Sequence, residues 1–209
     1  MAEKLLENDL SISRCGFWCA LYILVASVTY ASVAASATPA LSAGGSHSIA
    51  LKSDGSILTW GDDASGQLGV GRSLGSPSPV MVPGATGIVA IASGYSHVIA
   101  LKADGTVLAW GNNSEGQLGD GTTTNRSSPT SVSVLSDVEK IWAQGSHNFA
   151  RKRDGSLWAW GSNGVGQLGD GSYNNRLVPI RLSGMDNVTE LSLGGSHTLA
   201  RRSDGTVWA

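Results

Sequence analysis

Residues 96–121 read SHVIALKADGTVLAWGNNSEGQLGDG, and the phrase recurs along the chain. His47, His97, His147 and His197 stand at a constant spacing of 50 residues. Each follows a Ser, is followed three residues later by Ala, and four beyond that by Asp-Gly. Trp60, Trp110 and Trp160 keep the same step. So do Gly66-Gln67-Leu68-Gly69, Gly116-Gln117-Leu118-Gly119 and Gly166-Gln167-Leu168-Gly169, while Pro79, Pro129 and Pro179 close each unit. A fixed period of this length marks a repeat architecture, in which every unit solves the same packing problem against its neighbours.

One unit can be taken physically. In the second copy, residues 88–92 form a short apolar run that Ser93-Gly94 breaks. Residues 98–102 give the next strand, and residues 106–110 the return. Asp104-Gly105 between them is a hairpin signal, because such a turn needs positive φ and Gly supplies it. A Gly-rich loop runs to Gly121, a polar run follows at 122–128, and residues 132–135 are the last apolar run. The unit reads as three or four short strands and one long loop, which is one propeller blade. No copy carries a helical period.

These residues carry a family resemblance. Ser-His-x-x-Ala, the Asp-Gly turn, Trp-Gly and Gly-Gln-Leu-Gly with its trailing Gly71, Gly121 and Gly171 resemble the regulator of chromosome condensation repeat family, of the bacterial or α-tubulin-suppressor-like type. The resemblance covers residues 43–209. It implies an all-β, seven-bladed β-propeller. Of that ring the chain supplies three full repeats, starting near 43, 93 and 143, and part of a fourth starting near 193. The expectation is therefore a propeller fragment over 38–209, or an open arc that closes by self-association.

Residues 1–37 lie outside the repeat. From Cys15 to Ala37 no residue is charged, and the run ends in Ala35-Ser36-Ala37, a small-x-small pattern suited to signal peptidase. The expectation is a secretory signal peptide, with an uncleaved membrane anchor at 15–37 as the alternative, since the run is long enough to span a bilayer. Both cysteines, Cys15 and Cys19, fall inside it. A mature chain starting near Thr38 has none, which removes any disulfide framework or cysteine metal site.

Composition narrows the function further. A net charge of −2 on 209 residues argues against general nucleic-acid binding. The Gly-Gln-Leu-Gly loops lack the Gly-Lys-Ser/Thr ending of a phosphate loop, and the alternating acids of a calcium loop are missing. Geometry argues against a metal ring of the four histidines, because one His per blade spreads them too far apart to share coordination at about 2 Å. His47, His97, His147 and His197 are expected to be scaffold, each ring nitrogen bonded to backbone inside its own blade. Trp60, Trp110 and Trp160 are expected to pack between blades. No catalytic constellation and no cofactor site emerges.

The positions that vary between copies carry the functional expectation. Loops of one type gather on one face of a propeller, and such faces bind. The candidate partner-binding residues are Arg72, Asn125, Arg126, Tyr173, Asn174 and Arg176. A second candidate is a basic stripe before the Asp-Gly turns, made of Arg151, Lys152, Arg153, Arg201 and Arg202, which would suit an acidic partner. The expected function is a non-catalytic protein-binding scaffold that is secreted, periplasmic or at the cell surface. The resemblance also implies two alternatives: a guanine-nucleotide exchange factor for a small GTPase, and a secreted enzyme inhibitor. Asn112, Asn125 and Asn187 stand in N-x-Ser/Thr sequons.

Overall fold

The computed structural model describes residues 36–209. The leader read as a signal peptide or anchor lies outside the described residues, apart from its last two. Within them every regular element is a strand, and no helix is long and apolar enough to cross a membrane.

The strands form successive antiparallel meanders. Blade 1 holds β1 (Ala40–Ala43), β2 (His47–Leu51), β3 (Ile57–Gly61) and β4 (Ser76–Met81). Blade 2 holds β5 (Ile88–Ser93), β6 (His97–Lys102), β7 (Val107–Gly111) and β8 (Arg126–Ser131). Blade 3 holds β9 (Val138–Gln144), β10 (His147–Lys152), β11 (Leu157–Gly161) and β12 (Arg176–Arg181). Blade 4 holds β13 (Val188–Leu193), β14 (Thr198–Arg202) and β15 (Val207–Trp208).

The first strands of neighbouring blades pack on one another. Their turns are also bonded in series. Gly45 N–H donates to Tyr95 O at 2.9 Å, and Tyr95 N–H donates to Gly145 O at 2.7 Å. The first strand is thus the inner wall and the fourth is the outer edge. Burial follows this geometry. β2, covered by a blade on one side, alternates buried and half-buried residues. β6, covered on both sides, is buried from His97 to Leu101.

The fourth strand is the main departure from the sequence expectation. It is residues 126–131 in blade 2, not the apolar run 132–135. An outer strand faces water, so its residues need not be apolar, and the polar run RSSPTS serves. Val132 and Leu135 are buried after the strand ends, where they fill the joint to blade 3. Pro129 sits inside β8 at an irregularity opposite Ala109 and Gly111. Edges and bulges are where a sheet tolerates a residue without an N–H.

The core lies between blades rather than within them. Ile49, Leu51, Ile57 and Val82 of blade 1 cluster with Ile88, Val98 and Trp110 of blade 2. Leu101, Leu118 and Val132 of blade 2 cluster with Ile141 and Trp160 of blade 3. Phe149, Leu157, Leu168 and Leu182 of blade 3 cluster with Leu191 and Ala200 of blade 4.

Two faces result. The turns between first and second strands and the long loops between third and fourth strands share one end, the loop face. The Asp-Gly hairpins and the blade-to-blade linkers share the other, the hairpin face. Gly55, Gly105, Gly155 and Gly205 take φ between +77° and +84°, as the hairpins require. Each linker also makes two left-handed turns. One falls at Gly87, Asp137 and Asn187, residue types that tolerate that conformation. The other falls at Gly84, Val134 and Gly184. Val134, at φ +54°, is a β-branched residue where its counterparts are glycine, and it is exposed. Val134→Gly should therefore stabilise the protein by about 1 kcal/mol, read as a higher midpoint in chemical denaturation.

Candidate interaction face

The buried polar groups between blades set the loop face in place. Asn148 of blade 3 donates its amide to Gln117 O of blade 2 at 2.9 Å. Its Oδ1 is then turned to His97 Nε2 at 2.7 Å, so His97 carries its proton on that nitrogen and donates. His147 Nε2 meets Thr198 Oγ1 at 3.3 Å, and Thr198 donates to Gln167 O at 2.8 Å. The imidazoles thus bond to a side chain of the next blade, not to backbone inside their own. The reason is position: each ring sits on the flank of its second strand, flush against a neighbouring sheet. Burial pushes both His97 and His147 down to about 4, the Asn148 bond opposing the effect at His97.

The glycines of the preceding turns enforce the placement. A Cβ on Gly44, Gly94 or Gly194 would overlap the ring of His47, His97 or His197. His47 faces blade 2 at the point where Val98 stands in the place of Asn148, and both its ring nitrogens are buried without a hydrogen-bond partner among the described residues. Burial lowers its pKa as well, against a raising influence from Asp62. His197 is exposed.

Tryptophan completes the joint. Trp110 Nε1 donates to Gln67 O at 3.0 Å, and Trp160 Nε1 donates to Gln117 O at 3.0 Å. Both rings are fully buried. Trp60, on the flank of blade 1, is half-buried.

The long loops are locked from inside. In blade 2, Arg126 grips Asp120 Oδ2 with Nε at 3.0 Å and Nη2 at 2.7 Å. The Asn113 amide donates to Asp120 Oδ1, to Thr122 O and to Thr124 O. Asn125 Oδ1 accepts from Asn113 N–H at 2.8 Å. Blade 3 repeats the device with Arg176 on Asp170, Asn163 at the centre and Asn175 as its cap. Burial alone would raise the pKa of Asp170. The bonds from Arg176, Ser172 and Asn163 override it and hold the group near 2.

Of the six loop residues singled out by sequence, Arg126, Arg176 and Asn125 are therefore spent on holding their own loops. Arg72, Tyr173 and Asn174 remain exposed. Sequence reasoning missed Leu74, Tyr95 and Val165, which stand out of the same face with Tyr173, all of them 65% exposed or more. The available signal was departure from the repeat: Tyr95 falls where the other copies have Gly45, Gly145 and Gly195.

Blade 1 builds its loop differently. Asp63 stands in the place of Asn113 and Asn163, and Val70 in the place of Asp120 and Asp170. Asp63 Oδ1 accepts from Leu68 N–H at 2.8 Å. Its Oδ2 is buried with no hydrogen-bond partner among the described residues, and burial raises its pKa.

The basic stripe is on the hairpin face, and most of its charges are engaged. Arg151 pairs with Glu139 at 2.6 Å and donates to Val188 O at 2.8 Å. Arg201 pairs with Glu190 at 2.9 Å. Arg202 donates to Gly184 O at 2.6 Å and lies over Trp208. Lys152 lies over Trp158 at 4.8 Å. Arg153 is exposed at its hairpin tip. Among the described residues no cluster of His, Cys, Asp and Glu has metal-binding geometry.

Residues 28–209 match the family model of the RCC1-like domain. The chain belongs to that family. The solved structures similar to this RCC1-like domain include human WBSCR16, at 27% identity and a TM-score of 0.71, matched over 80% of this chain and 45% of that one. Prp20p from Saccharomyces cerevisiae is similar at 23% identity and a TM-score of 0.71, over 80% and 44%. The ectodomain of the receptor kinase CR4 from Physcomitrella patens follows at 16% identity and a TM-score of 0.52, over 80% and 39%. The chain spans less than half the length of these solved relatives. No curated protein sequence matches it.

Proposed function

We propose that this RCC1-like domain is a non-catalytic scaffold that binds a protein partner through its loop face, outside the cytosol. The observation that carries the reading is the contrast within that face. Its loops are fixed by internal pairs such as Arg176 to Asp170, while Tyr95, Tyr173, Leu74 and Val165 project into solvent. Rigid loops that raise aromatic and aliphatic side chains lose little entropy on binding, and Tyr and Arg are common interface anchors. The uncharged run at 15–37 with its Ala-Ser-Ala ending supports export.

The exchange-factor reading is the second. The published structure of Prp20p concerns its binding to Gsp1p and histones, and at 23% identity the likeness to it is one of fold. A partner assay separates the two. Proteins captured on the wild-type chain from the host's extracellular and cytosolic fractions are compared with those captured on two variants. Replacing Arg72, Tyr95 and Tyr173 together with Ser should reduce partner affinity at least tenfold while the melting temperature holds. Replacing Lys152 and Arg153 should leave affinity unchanged. Loss confined to the second variant, or capture of a small GTPase from the cytosolic fraction alone, would overturn the proposal.

A further inference from the structure

Each long loop closes around one side chain, two residues after the glycine of Trp-Gly. In blade 2 that side chain is Asn113, and its two ends do different things. Its Oδ1 accepts from Leu118 N–H at 2.9 Å. Its amide nitrogen points into a nest of oxygens: Thr122 O at 3.0 Å, Thr124 O at 3.1 Å, and Asp120 Oδ1 and Thr122 Oγ1, both at 3.2 Å. Asn163 repeats this in blade 3. Its Oδ1 accepts from Leu168 N–H at 3.0 Å, and its amide donates to Asp170 Oδ1 at 2.9 Å and Ser172 O at 3.0 Å.

Blade 1 keeps the loop and inverts its centre. Residues 62–75 match 112–125 in length. Gly66, Gly69 and Gly71 hold φ +83°, +71° and +78°, against +78°, +66° and +84° at Gly116, Gly119 and Gly121. Asp63 is anchored as Asn113 is. Its Oδ1 accepts from Leu68 N–H at 2.8 Å, and its backbone carbonyl accepts from Gly66 N–H at 3.0 Å. Oδ2 therefore stands where the other copies have an amide nitrogen, an acceptor among acceptors. Asp63 is 0% exposed, and Oδ2 bonds to nothing among the described residues. The counterparts of Thr122 and Thr124 are Arg72 and Leu74. Both lie close enough to act on the carboxylate, Arg72 through its charge and Leu74 through its backbone, though neither bonds Oδ2. The charge balance changes too. Asp120 and Asp170 are each paired with an arginine of their own loop. In blade 1 those two places hold Val70 and Ser76. A buried carboxylate with no paired cation is costly.

We infer that the blade 1 loop binds a hard metal cation, Ca²⁺ by preference, through Asp63 Oδ2 and the backbone carbonyls of Arg72 and Leu74. Oxygens about 3 Å apart are neighbours that one ion bound at about 2.4 Å touches together, and Ca²⁺ accepts irregular, carbonyl-rich shells. Mg²⁺ demands a tighter octahedron and gives up its waters reluctantly. Arg72 and Leu74 are exposed, so water completes the shell from outside. With one carboxylate the site is weak, of millimolar affinity. The ion does for blade 1 what an amide does for blades 2 and 3. Because the ligands are one side chain and backbone, no spacing of acidic residues marks the site in the sequence. The site does not depend on the loop-face reading, since it is tested by a metal rather than by a partner.

The test is thermal melting of the purified chain, stripped with a chelator, in CaCl₂, MgCl₂ or NaCl at matched ionic strength. Saturating CaCl₂ should raise the melting temperature by about 3 °C, and MgCl₂ should raise it markedly less. Asp63→Asn copies the centre of blades 2 and 3. It should abolish the calcium response and melt without calcium at least as high as wild type does with it. Asp137→Asn, an exposed carboxylate on the hairpin face at a left-handed position that Asn tolerates, should respond to calcium as wild type does. Circular dichroism checks that each variant is folded. A calcium shift that persists in Asp63→Asn would place the ion elsewhere and overturn the assignment. So would folded wild type that ignores calcium while Asp63→Asn melts higher, because a proton on Asp63 would then be what closes the loop.

Discussion

The melting temperature will hold steady above pH 7 and fall continuously as the pH drops from 6.5 toward 4. An imidazole in the unfolded chain takes up a proton near 6.5, whereas His97 and His147 in the folded protein do so only at about 4. Between those values the unfolded state binds more protons, so stability is lost as pH falls. Each group can remove up to ~3 kcal/mol over that window, a large share of the ~5–15 kcal/mol that holds a typical domain together. The carboxylates act later. Asp170, held near 2, contributes stability that is present above the ordinary Asp value and is lost only below it. The measurement is thermal melting by circular dichroism from pH 8 to 4 at fixed ionic strength. His97→Gln keeps an amide donor near the place of Nε2 and removes the titration, and the same holds for His147→Gln. The double variant should lose most of the slope between pH 6.5 and 4. A double variant with the wild-type slope would place the acid sensitivity elsewhere.

Trp160→Ala will rank with Trp110→Ala as one of the most damaging single truncations of the described residues. The side chain is fully buried between blades 2 and 3. Removing it deletes a large apolar surface, leaves a cavity against Gly119, and takes one of two donors from Gln117 O, which keeps the Asn148 amide. Large aromatic truncations in a core cost about 3–5 kcal/mol. Trp160→Phe should recover part of the loss, because it refills the socket without restoring the N–H. Trp60→Ala is the internal control. Trp60 is only half-buried on the flank of blade 1, so its removal should cost markedly less. Equal losses at Trp60 and Trp160 would mean that the interblade socket is not what stabilises the joint.

Much of the fold was legible because the chain repeats itself. The inner strands read as apolar runs, and the hairpins read from Asp-Gly. The outer strand did not read, since one of its sides meets water and β8 is RSSPTS around Pro129. Periodicity of burial is the signal that sequence offers, and an edge strand has little of it. The histidines read as scaffold, but their partners did not. His97 finds Asn148, 51 residues away, on a strand that no local pattern links to it. The candidate face divided in the same manner. Tyr173 projects as its type and loop position imply. Arg126 and Arg176 looked like anchors because they vary from blade 1, and the structure shows that they vary together with Asp120 and Asp170, their partners inside the loop.

The wiring between blades bears on how such a chain can change length. Trp110 is completed by Gln67 and Trp160 by Gln117, so this bond joins one position in a unit to another position in the next. Copying any window of one full period inserts a unit whose two joints each contain both halves of that bond. The breakpoint does not matter. Gain or loss of a whole period is therefore neutral to the indole bond at the joints on either side. A shift of two or three residues inside a strand breaks donor from acceptor at both. Genes encoding this architecture should vary in whole units and stay fixed in phase, with the point of duplication leaving no trace in the fold.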